Sequence, residues 1–331
     1  MSPHSLIRPT ALQEGDCIGL AAPASVFDPQ ALRVGIEVLQ GWGFRVHHTP
    51  RVFERYRYLA GSDAARAAEL HDLFANPEIK AILCCRGGYG AQRLLPHLDA
   101  DLIAAHAKIF MGYSDLTSLL LYLHTQCGLV TLHGPVVARD IHPGLARAAQ
   151  RQMRGILMGD AAAMQPPECL MQSLRTLSSG EAEGILLGGC LSLLVCATGT
   201  SLQPDMQGRI LFLEDRGERL YAIDRMLTSL RLAGVFDGVR GIVFGHFEPQ
   251  AADRDQPYGI QEIILDVLGD LQVPILCGFP AGHCHSPVAL PFGTRVAMRN
   301  GRLVLCETPV VPPVGSLASP LLKGEGELTT E

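Results

Sequence analysis

Residues 108–125, KIFMGYSDLTSLLLYLHT, change their periodicity within one residue. Lys108 to Tyr113 is the short apolar run of a buried strand. Asp115 to Thr125 instead sets leucines at Leu116, Leu119, Leu120 and Leu123, the spacing of a helix. Ser114 stands on the joint. A serine before a helix is the ordinary N-cap. At the carboxyl end of a parallel strand it also faces the crevice where ligands collect, close to unpaired helix N–H groups that favour developing negative charge. The run Gly112-Tyr113-Ser114-Asp115 matches half of a G-x-S-x-G nucleophile elbow and lacks the second glycine. This stretch leaves both readings open.

Outward from it, strand-like and helix-like runs alternate from Cys17 to about Gly159. DCIGLAAPAS reads as a strand ending in a turn, PQALRVGIEVLQGWG as an amphipathic helix and FRVHHTP as a strand. SDAARAAELHDLFANP reads as a helix with Ser62 as its N-cap and Pro77 beyond its end. IKAILCCRGGYG is a strand running into a glycine loop, and AQRLLPHL a short helix. Such alternation predicts a parallel sheet with helices on its faces. Residues 160–180, with Pro166–Pro167, break the rhythm and are expected to connect two domains. The second half repeats the pattern in AEGILLGGCLSLLVCATGT, GRILFLED, RLYAIDRMLTSLRLAGVF, VRGIVFGHF, GIQEIILDVLGDL and VPILCGFPAGH. TRVAMRNGRLVLCE then reads as a hairpin turning on Asn300–Gly301. The expected fold is α/β: an N-terminal flavodoxin-like domain over 1–159, a C-terminal α/β domain with a β-hairpin over 181–315, and a tail from 316 to 331 with little to pack. The active site is expected in the crevice between the domains.

The chain has 331 residues, 47% hydrophobic and 18% charged, which suits two soluble cores better than one. A net charge of −6 gives no electrostatic reason to expect nucleic acid or an anionic membrane as partner. No apolar run is long enough to span a bilayer, and the N-terminus lacks signal-peptide character, so the expected location is cytoplasmic. The ten cysteines include no pair at zinc-finger spacing and are expected to be reduced core residues. GHCHS (282–286) is the one metal-like fragment, but three such close side chains rarely face one ion, and no metal is expected.

A nucleophilic serine needs a base, and the base an orienting acid. His283 follows a strand and precedes a proline turn, which places it at a crevice end; His285 competes. Glu214 ends the apolar strand RILFL, with Asp215 and Glu218 as alternatives whose ordinary role is to favour a helix start. In CCRGGYGAQRLL (84–95) the glycines let backbone N–H groups approach an anion, although a plain tight turn explains them equally. The loop has neither the P-loop nor the G-x-G-x-x-G pattern.

Taken in order, GDCIGLAAPAS, RGGYGAQRLLPHLD, GYSDLTSLL, LHGP, LLGGCLSLL, LFLEDRGERLYAIDRML, GIVFGHF and GFPAGHCHSPVALPFG resemble the LD-carboxypeptidase family, serine peptidases that trim cell-wall muropeptides. The resemblance implies Ser114 as nucleophile, His283 as general base and Glu214 as the group orienting it. It further implies an oxyanion hole from the backbone N–H of Asp115 with one from the Gly87–Gly88 turn, no cofactor, and a homodimer. The implied substrate is a murein tetrapeptide that loses its terminal D-alanine. The substrate's free carboxylate calls for a cation or backbone donor, for which Arg86 is the sequence candidate. Two positions depart from the family pattern: Cys190 where asparagine is usual, and Ala24 where serine is usual. Two alternatives remain. One is an immunity-type peptidase of the same superfamily acting on peptide–nucleotide antibiotics, for which no aromatic cluster is identifiable in the sequence. The other is a non-enzymatic two-domain binder.

Overall fold

The computed structural model describes residues 6–248, 250–253 and 256–313. Strands β1 (Cys17–Ala21), β2 (Arg45–His47), β3 (Ile79–Cys84), β4 (Ile109–Gly112) and β5 (Thr131–His133) form a parallel sheet in the order β5-β4-β3-β1-β2, the flavodoxin-like order. Helices α1 (Pro29–Gly41), α2 (Asp63–Ala75), α3 (Ala100–Ala105), α4 (Thr117–Thr125) and α5 (Arg147–Met158) belong to this half. Local chemistry sets their ends. Ser62 accepts from Ala65 N–H at 3.2 Å and Asp28 from Gln30 N–H at 2.9 Å, each satisfying an orphan donor of a first turn. The AQRLLPHL run departs from expectation: Gln92–His97 is a 3-10 segment, because Pro96 within it cannot donate an α-helical hydrogen bond.

The second sheet contains β6 (Arg175–Ser178), β7 (Ala182–Cys190), β8 (Arg209–Arg216), β9 (Gly241–Glu248), β10 (Ile275–Gly282), β12 (Arg295–Arg299) and β13 (Arg302–Leu305), with β11 (Leu290–Phe292) between β10 and β12 in the chain. Its order is β13-β12-β7-β8-β9-β10-β6. β7 through β10 run parallel, while β6, β12 and β13 pair antiparallel. Helices α6 (Leu191–Ala197), α7 (Leu220–Leu232) and α8 (Ile260–Leu268) complete this half. The hairpin turns on Asn300 at φ 52° and Gly301 at φ 70°, the two left-handed residues that a tight antiparallel turn requires.

Two strands lie where the sequence pattern did not put them. β6 falls inside the stretch expected to be connection, and β11 leaves the second half to pair antiparallel with β5 of the first sheet. Both are short, three or four residues, too few for a period to register. The expected tail over 316–331 lies outside the described residues. All ten cysteines are unpaired, but Cys169, Cys196 and Cys306 are exposed rather than in the core; Cys196 sits on the outer side of α6. Among the described residues no helix is long and apolar enough to cross a membrane.

The halves meet along α4. Every residue of this helix from Thr117 to His124 is buried, as expected of a helix apolar nearly all round and enclosed on all sides. Gly189 makes the contact possible. It holds φ 140°, and a Cβ there would lie 2.4 Å from Thr117 Cγ2. The neighbouring Cys190 N–H donates to Thr117 Oγ1 at 3.1 Å. Behind it, residues 290–299 run from one sheet into the other, with Gly293 and Thr294 exchanging backbone hydrogen bonds with Leu186. Gly189→Ala is therefore expected to lower unfolding stability by roughly 2–4 kcal/mol, from backbone strain and overpacking together. Urea denaturation of the variant beside wild type measures it.

Candidate active site

Ser114 does not cap a helix. It opens a 3-10 turn, Ser114–Leu116, that leads into α4, and neither the turn nor α4 has a side-chain N-cap. Its backbone is left-handed, with φ 67°, a conformation that costs a non-glycine residue about 1–3 kcal/mol. This bend carries the hydroxyl away from the helix and toward the second half of the chain. There Ser114 Oγ meets His283 Nε2 at 3.0 Å. Glycine at 87 permits the bend, since a Cβ there would stand 2.9 Å from Ser114 Cβ and 3.0 Å from Tyr113 O.

His283 follows the last residue of β10 and is fixed from below. Its Nδ1 lies 2.6 Å from Glu214 Oε2, and its backbone N–H donates to the same oxygen at 3.1 Å. The carboxylate can only accept, so Nδ1 carries the proton and Nε2 is left to accept from the Ser114 hydroxyl. Glu214 is completely buried at a register irregularity between β8 and β9. Gly282 leaves it room: a Cβ there would come within 2.3 Å of Oε2. Burial alone would raise the Glu214 carboxyl, but His133 and His283 overcompensate and hold it at about 2. At 3.6 Å, His133 Nε2 and Glu214 Oε1 are too far apart for a direct hydrogen bond, so His133 is an electrostatic neighbour.

The competing side chains lie elsewhere. Asp215 is buried and accepts from the N–H groups of Ser192 and Arg216, at the start of α6. Glu218 stands in the turn before α7, and His285 is exposed. Asp115 directs its carboxylate to Ala91 N–H at 2.7 Å, tying the glycine loop to the serine turn, and burial raises its carboxyl. Gly88 holds φ 104° against Ser25, whose Oγ accepts from Tyr89 N–H at 3.0 Å. The loops after β1, β3 and β4 thus converge on Ser114. Arg86 is exposed and donates to Val26 O at 2.7 Å. Ala24 is fully buried, and Cys190 lies beside Glu214 in register, its thiol pushed up by burial.

Sequence reasoning missed several residues around the site. His133, in the LHGP motif, has no exposed surface and packs between Tyr113, Phe212 and Phe292. The ring of Tyr113 meets His283 edge-on at 5.0 Å. Tyr58 and Tyr89 form an exposed edge-to-face pair at 5.6 Å on the glycine-loop side, an aromatic cluster not visible in the sequence because its members lie 31 positions apart. Among the described residues no group of three or more His, Cys, Asp or Glu could hold a metal ion.

Fold and site together define a two-domain α/β protein whose interdomain crevice carries a Ser–His–Glu hydrogen-bond chain, an arrangement suited to acyl transfer. Sequence profiles for the LD-carboxypeptidase N-terminal domain and the LD-carboxypeptidase C-terminal domain match residues 18–134 and 183–298. The chain belongs to this family of peptidases. A probable murein peptide carboxypeptidase of Bacillus subtilis is 38% identical over 299 residues, covering 88% of this chain and 92% of that protein. The microcin C7 self-immunity protein MccF superposes with a TM-score of 0.84 at 28% identity, over 92% of this chain and 99% of the other. The crystal structure of a muramoyltetrapeptide carboxypeptidase from Oxalobacter formigenes gives 0.74 at 28% identity, over 87% and 97%.

The depressed Glu214 carboxyl has a consequence for stability. A carboxyl lowered on folding contributes stability that is complete above its ordinary value of 4.5 and is lost as pH falls through about 2. The stability gap between wild type and Glu214→Gln should therefore shrink as the pH drops from about 5 to about 2. Asp115 and Asp140, whose carboxyls burial raises without a contribution from Glu214, titrate in both proteins and cancel in that difference, whereas Asp215, raised by burial and in part by the Glu214 charge, titrates lower in the variant. Urea unfolding of the two proteins across this range measures the gap; a constant gap would mean that Glu214 is not held ionised.

Proposed function

We propose that the protein is a serine-type L,D-carboxypeptidase that releases the terminal D-alanine from murein tetrapeptides. The observation that carries this reading is the continuous chain from Ser114 Oγ through His283 to Glu214, at 3.0 Å and 2.6 Å, built on a left-handed serine. Substrate class comes from the relatives named for murein peptides. His283 Nε2 takes the hydroxyl proton as Ser114 Oγ attacks the carbonyl carbon of the L,D-peptide bond. Glu214 stabilises the imidazolium that forms and keeps its ring oriented. The developing oxyanion is held by the N–H of Asp115 with one from the Gly87–Gly88 turn, assisted by the positive end of the turn leading into α4. His283 returns the proton to the leaving amine of D-alanine. Water, deprotonated by the same imidazole, then hydrolyses the Ser114 ester.

A second reading draws on the Tyr58–Tyr89 pair, which could stack a nucleobase. In that case the same serine chemistry would cleave an aminoacyl–nucleotide amide, as the likeness to a microcin self-immunity protein suggests.

Mass spectrometry of a murein tetrapeptide should show loss of one D-alanine with wild type and none with Ser114→Ala, a fall of about 10⁴-fold or more. Release by both proteins would exclude Ser114 as nucleophile. Cleavage confined to a peptidyl-nucleotide substrate would favour the second reading. Glu214→Gln should lower kcat by about 10⁴-fold, as expected when the orienting carboxylate of such a chain is lost. Glu218→Gln should stay within about threefold of wild type, since Glu218 is half-buried in the turn before α7 and outside the Ser–His–Glu chain. Steady-state D-alanine release distinguishes the two glutamates.

A further inference from the structure

A carboxypeptidase must register the free carboxylate at the end of its substrate, and the crevice holds a cation built for that task. Arg139 lies in the Val137–Ile141 turn, a stretch of π-helix directly after the LHGP motif. The turn is pinned beside the glycine loop, with Ala138 N–H donating to Cys85 O at 2.9 Å. Arg139 Nη1 donates to the Tyr113 hydroxyl, and its Cζ lies 5.7 Å from the centre of that ring. Tyr113 is itself fixed. Its hydroxyl donates to Asp140 Oδ1 at 3.2 Å, while Asp140 Oδ2 accepts from Val136 N–H at 2.9 Å. The residue after Tyr113 is Ser114, and the Tyr113 ring contacts His283. The guanidinium is thus held on a rigid aromatic support shared with the serine and the histidine.

Its remaining nitrogens are uncommitted. Among the described residues, Arg139 Nε and Nη2 have no hydrogen-bond partner, and no carboxylate stands within 4.0 Å of the guanidinium, Asp140 included. Neither atom is sealed in the interior, for neither is among the buried atoms left without a partner. The side chain is only partly exposed. A half-buried, oriented guanidinium with two free donors matches the planar fork of a carboxylate, and partial exclusion of water strengthens the pairing. Arg86 differs in being exposed to solvent, with no aromatic ring beneath it among the described residues; its Nη1 donates to the Val26 carbonyl.

We propose that Arg139 binds the C-terminal carboxylate of the peptide substrate and so sets the enzyme's restriction to a single terminal residue. The proposal rests on the carboxypeptidase reading of the crevice. In it, Arg139 holds the leaving residue by its carboxylate, and Tyr113 couples that grip to the position of Ser114.

The test compares a peptide ending in D-alanine as the free acid with the same peptide as its C-terminal amide. Binding is measured by calorimetry on the Ser114→Ala protein, with and without Arg139→Gln, so that turnover plays no part. The free acid should bind the Ser114→Ala protein about 10- to 100-fold more tightly than the amide, and Arg139→Gln should abolish that preference while changing amide binding less than about threefold. Arg139→Lys should restore only part of it, because an ammonium lacks the fork. Equal losses for acid and amide, or no loss for either, would overturn the proposal. Absence of acid binding by the Ser114→Ala protein would overturn it as well. Failure of the carboxypeptidase reading looks different: wild type would release no D-alanine while the Arg139-dependent preference for the free acid persisted.

Discussion

Glu214 has no exposed surface, and a carboxylate so placed must be compensated by fixed donors or give up its charge. Much of the site's construction follows from that constraint. The oxygen Oε2 accepts from both the backbone and the ring of His283, which settles the ring's orientation and its tautomer in one step. The other oxygen faces His133 in a compartment closed by Phe212 and Phe292. Gly245 and Gly282 are side-chainless because a Cβ at either would press on Glu214, at 3.0 Å and 2.3 Å from its atoms. Removing one partner from such an arrangement leaves a buried charge uncompensated, so its members act as a unit.

The same constraint explains why two sheets must be held in close register. Ser114 follows β4 of the first sheet, Glu214 lies in β8 of the second and His283 follows β10, yet their side chains close to 3.0 Å and 2.6 Å. That precision draws on contacts far from the crevice mouth. Residues 290–299 are shared between the sheets, and Gly189 brings β7 onto Thr117 at the start of the helix that follows the serine. The left-handed backbone at Ser114 stores strain that this packing offsets. Strain at the serine and rigidity at the interface are two sides of one arrangement.

Tyr113 links Arg139 to the Ser–His–Glu chain. Its ring touches both His133 and His283, and its hydroxyl receives Arg139 while donating to Asp140. The two departures from the family pattern leave this framework intact. Ala24 is enclosed in the core, with Ser25 beside it tethering the glycine loop. Cys190 uses its backbone N–H to hold Thr117, a contact that does not depend on its side chain.

Local chemistry was legible in the chain: Ser62 caps α2, Asn300–Gly301 turns the hairpin, and the alternation of strands and helices predicts parallel sheets. These signals arise between residues a few positions apart, where backbone geometry alone dictates the outcome. By itself the stretch around Ser114 could not separate a cap from a nucleophile, because both tasks use the same residue at the same strand–helix joint. What the structure adds is a neighbour 169 positions away, His283, whose ring the hydroxyl meets. Likewise β6 and β11 are too short to carry a period, and the surroundings of His133 and Arg139 are assembled from distant segments. Sequence determined most of the elements, the Ser62 cap and the order of the motifs. Only tertiary structure decided which side chains share the buried space, since charge compensation and close packing act through space and leave no local period to read.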